Sequence, residues 1–118
     1  MSKAANAGEL RTPVYFKRIE RTTNEEGFSV EDEVNIFGEG VCTWVKWVNA
    51  HGSEVFTAMQ LALREPATLT VRYSPQINEK LLVYKGVDPA PFEVISIDNV
   101  EEKNVWLEIK VQRKVAAR

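Results

Sequence analysis

Two side chains in this 118-residue chain could pair as nucleophile and base: Cys42 and His51, each the single residue of its kind. A thiol nucleophile needs an imidazole or similar base within hydrogen-bond reach. The two stand nine positions apart, Cys42 on a strand candidate and His51 on the turn after it, and no local signature surrounds either. A half-buried strand cysteine and a turn histidine are the plainer assignment. His51 with nearby carboxylates lacks any metal-ligand spacing. Glu25-Glu26 and Glu31-Asp32-Glu33 crowd carboxylates together, but the Asp-rich, Gly-punctuated pattern of calcium loops is missing. Gly38-Glu39-Gly40 lacks the lysine and the strand-to-helix setting of a phosphate cradle. No catalytic residue, metal site or cofactor is expected, and the chain does not read as an enzyme.

Composition narrows the class. A length of 118 residues fits one domain, 1–118, with 1–9 and 113–118 as flexible tails. The hydrophobic share is 44% and the charged share 27%, ordinary for a globular protein. One cysteine excludes an internal disulfide. No apolar run nears the roughly 20 residues that span a bilayer, so no membrane partner is expected. Met1 to Asn6 has no apolar core behind its single lysine, so no secretory leader is expected.

The net charge of −2 argues against general polyanion binding, but its distribution is uneven. Glu25, Glu26, Glu31, Asp32, Glu33 and Glu39 fall between residues 22 and 40, with no Lys or Arg among them. The C-terminal end is basic, with Lys110, Arg113, Lys114 and Arg118. The plain reading is solvated surface and a loosely held tail. The sharper reading is an acidic loop and a basic arm that meet different partners.

The elements that would carry these residues are mostly strands. Leu10–Glu20, Val41–Val48, Ala67–Tyr73, Lys80–Lys85, Phe92–Ile97 and Val105–Gln112 are rich in β-branched and aromatic residues and bounded by turn signals. In Val41–Val48, Val45 and Trp47 share one face and Trp44 and Lys46 the other. Ala67, Leu69, Val71 and Tyr73 alternate inward, as do Val105, Leu107, Ile109 and Val111, leaving Trp106 and Lys110 outward. An outward Trp suits a subunit interface. Between the second and third strands the spacing of Val55, Met59, Ala62 and Leu63 predicts one short helix over about 53–64, with Ser53 as N-cap and Pro66 beyond its end. Residues 22–40 read as a long acidic loop, and excursions of that length in small domains are usually functional or flexible. The fold expected is mainly β: a small antiparallel barrel of about six strands with one helix.

The order of motifs resembles the phage head–tail joining proteins, the adaptors, connectors or stoppers of tailed phages. Gly8-Glu9-Leu10-Arg11 leads into the first strand, and Asn24-Glu25-Glu26-Gly27 follows it. Trp44 precedes Gly52-Ser53-Glu54 by eight residues, and Ala58-Met59-Gln60 follows in the helix. Then come a Thr-bearing strand ending in Arg72-Tyr73, Tyr84-Lys85-Gly86, and Phe92 to Ile97. The match covers residues 8–112. Leu10, Arg11, Trp44, Gly52, Glu54, Gln60, Arg72, Tyr73 and Gly86 form its signature. Residues 28–40 are longer and more acidic than the family's segment, and Val87 to Pro91 replaces a tight turn.

The resemblance implies a structural virion protein made in the bacterial host cytoplasm. It would sit in the neck of a phage or prophage particle as a homo-oligomeric ring of six or twelve copies. Its partners would be portal or adaptor ring proteins and tail-completion or tail-tube proteins, with packaged double-stranded DNA in the lumen, held without sequence specificity. It would dock the tail and help retain DNA. The acidic stretch would be the lumen or ring-contact loop, and Trp106, Lys110, Arg113, Lys114 and Arg118 the subunit or partner interface. The rival readings are a small β-barrel that binds single-stranded nucleic acid and a minor tail or tail-end protein.

Overall fold

A computed structural model describes residues 7–49 and 64–114. The helix expected over about 53–64 falls almost wholly outside the described residues, as do His51, Gly52, Glu54, Gln60 and Arg118. The chain enters through a 3-10 turn, Ala7–Glu9, which leads into β1 (Thr12–Thr23). There follow β2 (Ser29–Asn35), β3 (Thr43–Asn49), β4 (Ala67–Arg72), β5 (Leu82–Lys85), β6 (Phe92–Asn99) and β7 (Trp106–Arg113).

Six of these strands close a barrel. β3, β4, β7, β6 and β5 pair in that order, and β1 pairs with both β3 and β5, so the two ends meet. Every pairing is antiparallel. Closure gives each barrel strand a hydrogen-bonded neighbour on both sides. β6 slips register between Val94 and Ser96, a bulge that lets the strand bend round the barrel.

The inward positions explain why the barrel forms. Val14 and Phe16 of β1, Val45 of β3, Leu69 and Val71 of β4, Val83 of β5, Phe92 of β6 and Ile109 and Val111 of β7 are all buried. They come from alternate positions of their strands, the period-2 pattern that puts one set of side chains on one face. Burying each contributes about 1.5–3 kcal/mol. Among the described residues no polar or charged side chain is buried, so the core makes no demand for internal hydrogen bonds.

The expected count of about six strands holds for the barrel, and the seventh lies in the stretch read as a loop. Residues 22–40 are not one loop, because β2 lies within them and pairs with β1 over seven residues, from Lys17↔Asn35 to Thr23↔Ser29. Two inward assignments also change. Val105 lies just before β7 and is exposed, and Tyr73 lies just past β4 at the barrel rim. The Tyr73 N–H still bonds the Val105 carbonyl at 2.9 Å, so the ladder runs on to the rim while the two side chains are in contact with water.

Candidate functional site

β1 is longer than the barrel needs. Its first half, Thr12 to Lys17, pairs with β3 and β5 and carries the two core residues Val14 and Phe16. From Arg18 onward it pairs only with β2, and none of its side chains is buried. The result is a two-stranded arm that projects from the wall. Six paired residues at about 3.4 Å each make it roughly 20 Å long. A tight turn closes its tip: Asn24 Oδ1 accepts the backbone N–H of Glu26 at 3.0 Å and of Phe28 at 2.9 Å. Gly27 takes φ +88°, a conformation that glycine adopts without a Cβ penalty.

The arm is strongly acidic. Between residues 18 and 34 it carries six carboxylates against Arg18 and Arg21, a net −4. Arg18 pairs with Glu20, and Arg21 Nη2 meets Glu31 at 2.8 Å. Glu25, Glu26 and Asp32 have no basic partner among the described residues. The tip also shows Phe28, 67% exposed.

Where the arm leaves the wall, a groove of about 760 Å³ opens among Tyr15, Lys17, Glu33, Asn35, Tyr84 and the 86–89 loop. Tyr84 donates its phenolic O–H to Glu33 Oε1 at 2.5 Å. Lys17 Nζ lies 4.7 Å above the Tyr84 ring. Partial burial, the hydrogen bond and the negative charge of Glu33 together push the Tyr84 hydroxyl up to about 12. The groove is thus the buttress of the arm. Glu39 lines the same groove from the return segment.

A second surface lies on the outer wall of β3, β4 and β7. Arg72 and Trp106 are register partners, and the Arg72 guanidinium sits 5.4 Å from the Trp106 ring. Lys46↔Thr70 is the last pair between β3 and β4, and Trp44 and Arg72 each lie two residues beyond it, on the same parity as that pair. Trp44 is 52% exposed. Arg72 and Trp106, with Trp44 at the end of the adjoining strand, form the outward row Trp44, Arg72, Trp106. Lys46 meets Glu9 at 3.5 Å and Lys110 meets Glu108 at 3.8 Å, whereas Arg72 has no carboxylate partner among the described residues.

One end of the barrel is closed by charge. Arg113 Nη2 reaches Glu65 Oε1 at 2.8 Å, and its Nη1 reaches Asp88 Oδ2 at 3.0 Å and the Ala90 carbonyl at 2.8 Å. The guanidinium lies 4.2 Å over the Phe92 ring, which meets Trp47 edge-on. The bond to Arg113 holds the Glu65 carboxyl below its usual range. The Ala90 N–H, and then Arg113, do the same for Asp88.

The structure sorts the expected residues. Glu25, Glu26, Glu31, Asp32 and Glu33 come together on the arm, while Glu39 stands at its base. Trp106 and Lys110 face outward as expected. Arg113 differs from the expectation of a free tail: it is the last residue of β7 and serves the barrel end. Lys114 follows, its N–H bonded to the Pro91 carbonyl. In the leader, Arg11 Nε donates to the Gly8 carbonyl at 2.9 Å, which holds the entry turn in place. Gly86 sits at φ +58°, and its N–H reaches Pro13 across the barrel seam. Sequence reasoning missed Tyr84 as the anchor of Glu33, a contact across 51 positions with no local signal. It also missed Glu65 and Asp88, although the parity running from Leu107 through Ile109 and Val111 reaches Arg113.

Among the described residues no group of three His, Cys, Asp or Glu could hold a metal ion. Cys42 is partly buried just before β3. No helix there is long and apolar enough to cross a membrane. No curated protein matches the chain. The solution structure of protein SF1141 from Shigella flexneri 2a has the same fold, with a TM-score of 0.68 at 17% identity, covering 96% of this chain and all of that one. The sequence profile of the phage head completion proteins matches residues 5–114, nearly the whole chain. With the barrel and the ordered motifs of its strands, that match places the chain in the phage head completion protein family.

Proposed function

We propose that this structural virion component of the head–tail interface forms a homo-oligomeric ring in the neck, docks the tail onto the portal or its adaptor, and helps retain packaged DNA. The family supports the location. The observation that carries the mechanism is the arm. It is built from strand residues that give nothing to the core, it carries net −4, and it projects well beyond the wall. An acidic ribbon repeated round a ring either lines the lumen, where it repels phosphate, or bridges to a neighbouring ring or subunit. The outward residues Trp106 and Lys110 and the segment from Lys114 onward supply surface for subunit and partner contacts.

Excising the arm tests this. Replacing Ile19 to Glu33 with Asn-Gly joins the register partners Arg18 and Val34 through a two-residue turn. The barrel is expected to fold, while particles carrying the variant lose DNA retention or tail joining. Normal retention together with normal tail joining would overturn the proposal. Truncation after Arg113 tests the tail separately, and particle assembly is expected to fall.

A further inference from the structure

We infer that the arm tip of one copy docks on the Trp44–Arg72–Trp106 row of the next copy, an inference that rests on the ring proposed above. The two surfaces complement each other. The tip offers Glu25 and Glu26, neither with a basic partner among the described residues, and the exposed ring of Phe28. The row offers Arg72, which has an aromatic neighbour but no carboxylate, and the exposed indole of Trp44. The lysines around it are already paired with Glu9 and Glu108. A carboxylate on a guanidinium makes paired charge-assisted bonds. Phe28 against an indole adds aromatic packing. Trp and Arg are also the residue types enriched at interface hot spots.

A single chain cannot make this contact with itself. Trp44 pairs with Pro13, near the start of β1, while Thr23 at the tip lies ten residues further along the same strand. At about 3.3 Å per residue that is roughly 33 Å, and the hydrogen-bonded pairing with β2 prevents the arm from folding back. The contact joins two different patches, so it is heterologous. Repeated with a closing rotation, it makes a ring. A few side chains on one row bury far less than the roughly 1,200–2,000 Å² of a stable interface. Each contact is weak, and the isolated protein stays monomeric until a partner gathers the copies.

The test places photoreactive p-benzoylphenylalanine at position 28 in assembled particles. The expected cross-link joins two copies of this chain and maps to peptides holding Trp44, Arg72 or Trp106. Arg72→Glu is expected to cut incorporation into particles about tenfold, and adding Glu25→Arg and Glu26→Arg in the same chain is expected to restore it. Circular dichroism melts check that each variant is folded. Normal incorporation of Arg72→Glu would overturn the inference, as would failure of the folded charge-swapped chain to recover. A cross-link only to another neck protein would overturn this contact and leave the ring standing. Absence of the wild-type chain from the neck in cryo-electron micrographs would overturn the ring itself.

Discussion

The Tyr84 hydroxyl donates to Glu33 at 2.5 Å, and this bond ties the arm to the barrel wall. Tyr84 is on β5 and Glu33 on β2, and β1 lies between them as the partner of both. Removing the hydroxyl leaves the ring and its Lys17 contact in place. Tyr84→Phe is therefore expected to cost only about 1 kcal/mol. Its larger effect is local: amide exchange at residues 30–34 rises while that of the barrel strands is unchanged. Equal exchange in both proteins would show that the bond does not hold the arm.

The same bond sets an alkaline limit. An unfolded chain ionises a tyrosine near 10, whereas the folded chain keeps Tyr84 neutral to about 12. Its contribution is complete below pH 10 and is lost as the pH rises through about 12. In an ultraviolet titration of the three tyrosines, one is expected to ionise late, and Tyr84→Phe abolishes that late step.

At the barrel end the sign is reversed. Glu65 and Asp88 are held below their ordinary values of 4.5 and 3.8 by Arg113 and the Ala90 N–H. The charged forms favour the fold, so their contribution is complete above pH 4.5 and is lost as the pH falls through the lowered values. The hydrogen bonds from Arg113 N–H to Arg64 and from Lys114 N–H to Pro91 report on this end. Their protection factors are expected to fall in acid before those of β4. Arg113→Ala should remove the Glu65 part of the acid dependence, leave the part that the Ala90 N–H gives Asp88, and cost about 1 kcal/mol.

Gly38 sits at φ +117°, in the turn that returns the chain from the arm, and a Cβ there would stand 3.2 Å from Val41 Cγ2. Gly38→Ala is expected to cost roughly 1–3 kcal/mol, measured by urea unfolding. Gly40→Ala meets no neighbouring atom and serves as the comparison for backbone conformation alone.

Core and arm should separate in energy. Phe16 is fully buried and meets Phe37 edge-on at 6.3 Å. Phe16→Ala is expected to cost about 3–5 kcal/mol. Excising the arm removes no side chain that is buried, so the shift should stay under about 1 kcal/mol. A large loss on excision would mean that the arm is part of the folding unit.

Much of the barrel was legible because its strands are buried on one face. Leu69 and Val71, and Leu107, Ile109 and Val111, alternate with polar neighbours, and that period alone identifies a half-buried strand. β2 was not legible. Its sequence, Ser-Val-Glu-Asp-Glu-Val-Asn, sets three acids in a row, and acids are depleted in strands. An arm with water on both faces needs no alternation, so it leaves no pattern to find. Pairing with β1 holds it in place, and that depends on a partner strand rather than on local preference.

The sequence by itself determined the class of the molecule: a mainly β chain with acids gathered in residues 22–40 and motifs ordered as in one phage family. Hydrophobic periodicity and residue chemistry act locally, so they survive in one dimension. Only the tertiary structure decided that the acidic stretch contributes a strand to a paired ribbon and that Arg113 closes a barrel. It also decided that Arg72 lies over Trp106 of a distant strand. Those relationships depend on register between residues up to 44 positions apart, from Ala67 to Val111, which is set by the collective packing of the core.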